Sequence, residues 1–139
     1  MIVLDPTYEE WDADFQTADN EEFLDVFWSP QWVSCDVFID ESADAIGQFD
    51  RTMFGTATKG RKNGHKCFFI SQRAAQLNPT VRGQCERLFL FKIGTKDANA
   101  MAEDWVEPEL ANAFLLPRGS CYYSDVYADG LKIIEVFAT

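Results

Sequence analysis

The chain has 139 residues, the size of one domain, and its 47% hydrophobic and 14% aromatic content can build a core. A formal net charge of −11 makes it a poor nonspecific binder of nucleic acid. No apolar stretch reaches the roughly 20 residues of a membrane span, the opening MIVLDPTYEE lacks the basic region of a signal peptide, and dispersed cysteines with one histidine argue against zinc.

"MIVLD" (1–5) reads as a short buried strand ending at Asp5-Pro6, and 7–20 as a polar, irregular stretch. "EEFLDVFW" (21–28) has helical spacing and stops at Ser29-Pro30. "WVSCDVFID" (32–40) reads as a strand whose last part is fully buried. Residues 42–64 read as one or two helices and then a glycine-rich loop, with "CFFIS" (67–71) a second buried strand. "NPTVRGQCERL" (78–88) predicts a helix with Asn78 as N-cap and Pro79 at its first position. "LFLFKI" (88–93) reads as a third buried strand, and "TKDANAMAEDW" (95–105) as a helix started by a capping Thr95. Residues 120–139 alternate on both sides of Ala128-Asp129-Gly130, which is the chemistry of a β-hairpin turn. Continuous apolar strands alternating with helices predict an α/β fold with a mostly parallel sheet covered on both faces.

Charge is unevenly spread. Residues 1–50 hold 14 acidic residues and no Lys or Arg, residues 51–100 hold 10 basic and 2 acidic, and residues 101–139 hold 7 acidic and 2 basic. The basic run "KGRKNGHK" (59–66) fits either a solvated loop or a contact to a phosphate, and His65 within it is expected to be exposed. Cys35, Cys67, Cys85 and Cys121 form no CxxC pair and are expected to be reduced and mostly buried, as in a cytoplasmic protein. Met53, Met101 and most phenylalanines are expected in the core, as are Trp28 and Trp32.

Three of the predicted strands end in polar residues: Asp5, then Asp40-Glu41, then Ser71-Gln72-Arg73. In a parallel sheet these tips share one edge, where ligands bind. Adjacent residues on a strand point to opposite sides. Asp40 could therefore face a metal ion held through water while Glu41 faces an attacking water, with Gln72 on the neighbouring strand near the same water. The competing reading is that Asp40 and Glu41 cap the helix that follows.

"VFIDE" (37–41) resembles a Walker B strand with a catalytic glutamate, and residues 60–94 are similar in order and spacing to the second half of the HerA/FtsK-type P-loop ATPases. That group includes DNA translocases and viral genome-packaging ATPases. "MIVLDP" with Trp11 is similar to its second strand, and the strand-Gly-strand ending is similar to the packaging branch. The resemblance implies a three-layer, RecA-like sheet and a single, partial ATPase domain over residues 1–139. It implies ATP and Mg²⁺ as cofactors and a ring of identical subunits, with DNA as a partner in the host cytoplasm if the protein is viral. Carried over, Asp40 binds Mg²⁺, Glu41 is the general base, Gln72 senses the γ-phosphate, and Arg61 and Arg73 are candidates to reach a neighbouring subunit's nucleotide.

The sequence departs from that pattern in one large respect: it contains no GxxxxGK[ST]. The nearest string, "GTATKGRK" (55–62), follows the Walker B strand and reads as a loop. The resemblance therefore implies a domain that lacks its P-loop and first strand, a strand placed between the fourth and fifth of the family's sheet. The rival reading is a non-catalytic α/β module that binds a partner. A nuclease is weaker, since no strand carries a Glu-x-Lys pair.

Overall fold

The computed structural model of the chain describes residues 1–41, 51–73, 77–128 and 130–138. They form two compact units. One runs from Met1 to Gln72 and takes in the helix Pro79–Gln84; the other holds Arg73 and the chain from Cys85 onward.

The first unit is built on four parallel strands, β1 (Ile2–Leu4), β2 (Phe15–Thr17), β3 (Asp36–Ile39) and β4 (Lys66–Phe69), in the order β2-β1-β3-β4. Register places Ile2 beside Val37 and Leu4 beside Ile39, so four aliphatic side chains share one face. Helix α1 (Asn20–Phe27) covers that face with Phe23 and Phe27, which stand four residues apart and are fully buried. Its start is fixed by Asp19, whose carboxylate accepts the Glu22 amide at 3.0 Å. Met53 from α2 (Arg51–Lys59) and Leu77 and Val81, at and within α3 (Pro79–Gln84), complete this core. Burying each large apolar side chain here contributes about 1.5–3 kcal/mol. On the other face Phe38 stacks on Phe68, with centroids 4.6 Å apart and planes 8° from parallel.

Several of the sequence expectations change in this unit. "GTATKGRK" (55–62) is not a loop but the end of α2 and the 3₁₀ turn Gly60–Asn63. Trp28, expected in the core, is 38% exposed. The stretch 7–20 is not wholly irregular: Phe15–Thr17 pairs with β1 as an edge strand. His65 is not exposed but 5% accessible, packed on Phe27 at 4.5 Å between ring centroids. Met53 lies in the core as expected. The expected helix start after Glu41 falls on residues 42–50, outside the described residues.

The second unit holds β5 (Arg87–Leu90), β6 (Ser120–Asp125) and β7 (Lys132–Glu135), an antiparallel sheet ordered β5-β6-β7. The hairpin expected at the C-terminus is β6-β7. Helix α4 (Thr95–Asp104) and the 3₁₀ segment Pro108–Leu115 lie on one face, where Ala98, Met101, Leu110, Ala113 and Leu116 pack with Leu90 and Tyr122. "LFLFKI" is thus neither parallel nor wholly buried: β5 pairs antiparallel to β6, and Phe89 and Phe91 are half exposed. An apolar run marks a strand but does not fix its direction or the covering of its second face. The N-cap of α4 is Gly94 rather than Thr95, without a side-chain bond. All four cysteines are free thiols, and burial pushes those of Cys85 and Cys121 above their ordinary pKa.

Candidate active site at the strand tips

Parallel pairing brings the ends of β1, β3 and β4 to one edge of the first sheet. Two backbone bonds carry the pairing to the tips: the Asp40 amide donates to Leu4 at 2.9 Å, and the Ile70 amide to Ile39 at 3.0 Å. Asp5, Asp40, Glu41 and Gln72 are therefore neighbours because their strands are.

Asp5 is 1% exposed and held by its own loop. Its carboxylate accepts from Thr7 Oγ1 at 2.6 Å, the Thr7 amide at 2.8 Å, Trp11 Nε1 at 2.9 Å and the Glu9 amide at 3.1 Å. Burial by itself raises its pKa, but the donors from Thr7, Trp11 and Glu9 outweigh it and hold the carboxyl below its ordinary value. Asp5 thus organises the loop, and Trp11 then packs on Phe38 at 5.9 Å.

Asp40 and Glu41 form the centre of the edge, both half-buried. Asp40 Oδ1 accepts the Glu41 amide at 2.8 Å. Glu41 has φ +47°, a left-handed conformation that non-glycine residues adopt at a cost. Gln72 Nε2 donates to Glu41 Oε1 at 3.1 Å. The structure therefore brings together Asp40, Glu41 and Gln72, three of the five residues singled out from sequence.

Arg73 belongs to the second unit, where its Nε lies 3.4 Å from Asp97 Oδ2. Asp97 is a buried carboxylate in the first turn of α4, a position that favours negative charge. The two form an ion pair within the second unit. Arg61 sits in the 3₁₀ turn Gly60–Asn63, before β4, and so at the opposite end of that strand from Gln72.

Sequence reasoning missed Glu9 and Asp97. Carboxylate oxygens of Asp5, Glu9 and Asp40 lie within 4.8 Å of one another. That donor set consists of hard oxygens, the chemistry that suits Mg²⁺. With Asp5 occupied by four donors, Asp40 and Glu9 are the residues placed to hold such an ion.

The first unit is a four-stranded parallel sheet with Asp5, Asp40, Glu41 and Gln72 at its carboxyl edge, and the second holds an antiparallel sheet, so the chain is of mixed α/β class. No family model matches the sequence, and no curated protein matches it. Solved structures do. The chain is similar to B204, the DNA-packaging ATPase of Sulfolobus turreted icosahedral virus, with a TM-score of 0.78 and 14% identity over 99% of this chain and 82% of that one. It is also similar to the genome-packaging NTPase B204 of Sulfolobus turreted icosahedral virus 2. The complex with AMPPCP gives a TM-score of 0.75 and 16% identity over 95% of this chain and 80% of that one. The complex with ATP-γS gives 0.74 and 15% over 98% and 81%.

Proposed function

We propose that the chain is part of the ATPase domain of a motor that packages or translocates DNA, and that its phosphate-binding loop is supplied from outside these 139 residues. The observation that carries this reading is the meeting of Asp40, Glu41 and Gln72 at one sheet edge, with Gln72 bonded to Glu41. The likeness in fold to packaging NTPases solved with ATP analogues supports it.

When bound, ATP supplies the phosphoryl group under attack and Mg²⁺ offsets the charge on its oxygens. Asp40 would hold the ion through water, and its bond to the Glu41 amide orients its carboxylate. Glu41 orients the attacking water and accepts its proton. Gln72, whose amide donates to Glu41, would be the residue that senses the terminal phosphate of a bound nucleotide. Arg73, half exposed beside Asp97, and Arg61 offer positive charge to the nucleotide of an adjacent subunit in a ring. No helix among the described residues is long and apolar enough to cross a membrane.

The test compares ATP hydrolysis by this chain with hydrolysis by a longer form carrying GxxxxGK[ST] upstream. Only the longer form is expected to turn over, and Glu41→Gln in it should lower kcat about 10²–10⁴-fold. A longer form that binds Mg²⁺·ATP yet hydrolyses none, or is indifferent to Glu41→Gln, would move the reading to a partner-binding module.

A further inference from the structure

The parallel sheet of the first unit carries opposite charge at its two ends. At the amino end, before β4, Lys59 closes α2, Arg61 and Lys62 lie in the 3₁₀ turn Gly60–Asn63, and Lys66 opens the strand; all four are exposed. Among the described residues no ion pair engages Lys59, Lys62 or Lys66. The turn that carries them is pinned to the rest of the unit. Asn63 Nδ2 donates to the Phe27 carbonyl at 3.0 Å, the Ser34 amide donates to the Asn63 carbonyl at 2.9 Å, and Gly64 reverses the chain at φ +72°.

At the carboxyl end stands the loop after β1. Its Glu9 carboxylate lies within 4.8 Å of those of Asp5 and Asp40, which places the loop beside the strand tips. Tyr8, Glu9 and Glu10 are exposed, and the first 50 residues contain no Lys or Arg to neutralise them. The buried Asp5 carboxylate accepts the amides of Thr7 and Glu9, on either side of Tyr8, and the Asp5 carbonyl accepts the Tyr8 amide at 3.3 Å. That grip turns Tyr8 outward: its backbone is left-handed, φ +61°, and the residue is 82% exposed. A bulky residue in this conformation carries strain, and packing within the chain does little to offset it. An exposed phenol ring beside two carboxylates attracts a cation by its face and by its charged neighbours alike.

We propose that loop 7–10 is the dock for turn 59–66 of a second copy of the chain. The chain supplies both partners, a pinned cationic turn and a pinned anionic, aromatic loop, at opposite ends of the same short strands. Unlike surfaces make a heterologous contact, which leaves one loop and one turn of every pair unused. Assembly therefore runs past the dimer until it closes on itself or continues as a filament. The Tyr8 ring faces the incoming cations, with Glu9 and Glu10 around it. Charges so placed govern encounter and salt dependence more than final affinity. The net charge of −11 repels copies at a distance, so the assembly is weak. The contact is read from charge, exposure and backbone; its closure into a ring rests on the motor reading above, in which it brings Arg61 to the neighbour's strand tips.

Sedimentation velocity of the chain from micromolar to millimolar concentration, at about 50 mM and about 500 mM salt, is the measurement. The expected result is association past the dimer at the lower salt, lost at the higher. Lys59→Glu with Lys62→Glu disables the turn, and Tyr8→Lys with Glu10→Lys disables the loop. Each double variant should stay monomeric with unchanged circular dichroism. Mixed one to one, they should form a dimer and nothing larger, since one brings an intact loop and the other an intact turn. A wild-type chain that stays monomeric overturns the proposal. So does either variant that still associates by itself, or a mixture that remains monomeric. A wild type that stops at the dimer overturns the head-to-tail order in favour of two-fold pairing. None of these readouts involves hydrolysis, so they hold or fail separately from the ATPase assay.

Discussion

The side-chain amide of Gln72, at the tip of β4, donates to the carboxylate of Glu41, at the tip of β3, across 31 residues of sequence. The glutamate so held is also the one with left-handed backbone, φ +47°. Strain at a non-glycine residue persists only where its surroundings impose it, and it gathers at functional positions. Here the Asp40 carboxylate and the Gln72 amide impose it from two sides. Glu41→Gly should therefore stabilise the chain by about 0.5–1 kcal/mol, since glycine adopts this conformation freely. The same variant should be inactive in the longer, P-loop-bearing form. Urea denaturation read beside an ATPase assay checks both; destabilisation by more than 1 kcal/mol would show that the conformation carries no strain.

Asp5 gives the acid limb of stability its shape. Its carboxyl is held below the ordinary value in the folded chain, so folding favours the ionised form. The sign follows: this contribution is complete above the unfolded pKa of about 3.9 and is lost as pH falls through the lower folded value. Asp5→Asn keeps the shape but removes the charge. It should cost about 1–3 kcal/mol at pH 7 and flatten the fall in stability between pH 5 and 2. Denaturation midpoints across that range check it, and an unchanged acid limb would remove Asp5 from the account.

His65 has both ring nitrogens committed. Nδ1 accepts the Cys35 amide at 3.2 Å, and Nε2 lies 2.7 Å from the Phe27 carbonyl, to which its hydrogen is donated. The neutral ring with hydrogen on Nε2 is the one tautomer that serves both partners. His65→Ala leaves the half-buried Cys35 amide without its acceptor and empties a buried site, and should destabilise by about 2–3 kcal/mol. Thermal unfolding beside the wild type is the measurement; a loss under 0.5 kcal/mol would mean that water replaces the ring.

Gly119 stands where no side chain fits. Its φ is +89°, and a Cβ there would lie 2.1 Å from the Phe137 carbonyl oxygen. The Gly119 carbonyl in turn accepts the Val136 amide at 2.7 Å, joining the start of β6 to the segment after β7. Gly119→Ala must shift backbone rather than a flexible side chain, so a loss of about 3 kcal/mol or more is expected. Hydrogen exchange should show β7 open while α4 stays protected; a variant as stable as the wild type would mean that residues 136–138 move aside freely.

Much of this arrangement was legible in the sequence because apolar runs announce strands and the residue after a run is at its tip. That logic located Asp5, Asp40, Glu41 and Gln72 and predicted their shared edge. It could not see partners set by tertiary contact. His65 lies in a polar run and reads as surface, yet the fold closes over it. Phe15–Thr17 has no strand pattern of its own and is a strand because β1 offers it an edge. Asp5 read as a site residue, and only the return of Trp11 six residues later makes it a structural anchor. The direction of β5 was equally hidden, since "LFLFKI" suits an interior parallel strand as well as an antiparallel edge.

One carbonyl group has a wider reach. Phe27 O, at the last turn of α1, receives both His65 Nε2 and, at 3.0 Å, Asn63 Nδ2. The Asn63 carbonyl meanwhile accepts the Ser34 amide at 2.9 Å. The end of a helix, a 3₁₀ turn and the entry to two strands thus share a single knot of polar contacts. Opening any of them releases the others, so α1 cannot fray on its own. The segments 20–35 and 60–66 should open and close as one cooperative unit, with a common exchange free energy despite their distance in sequence.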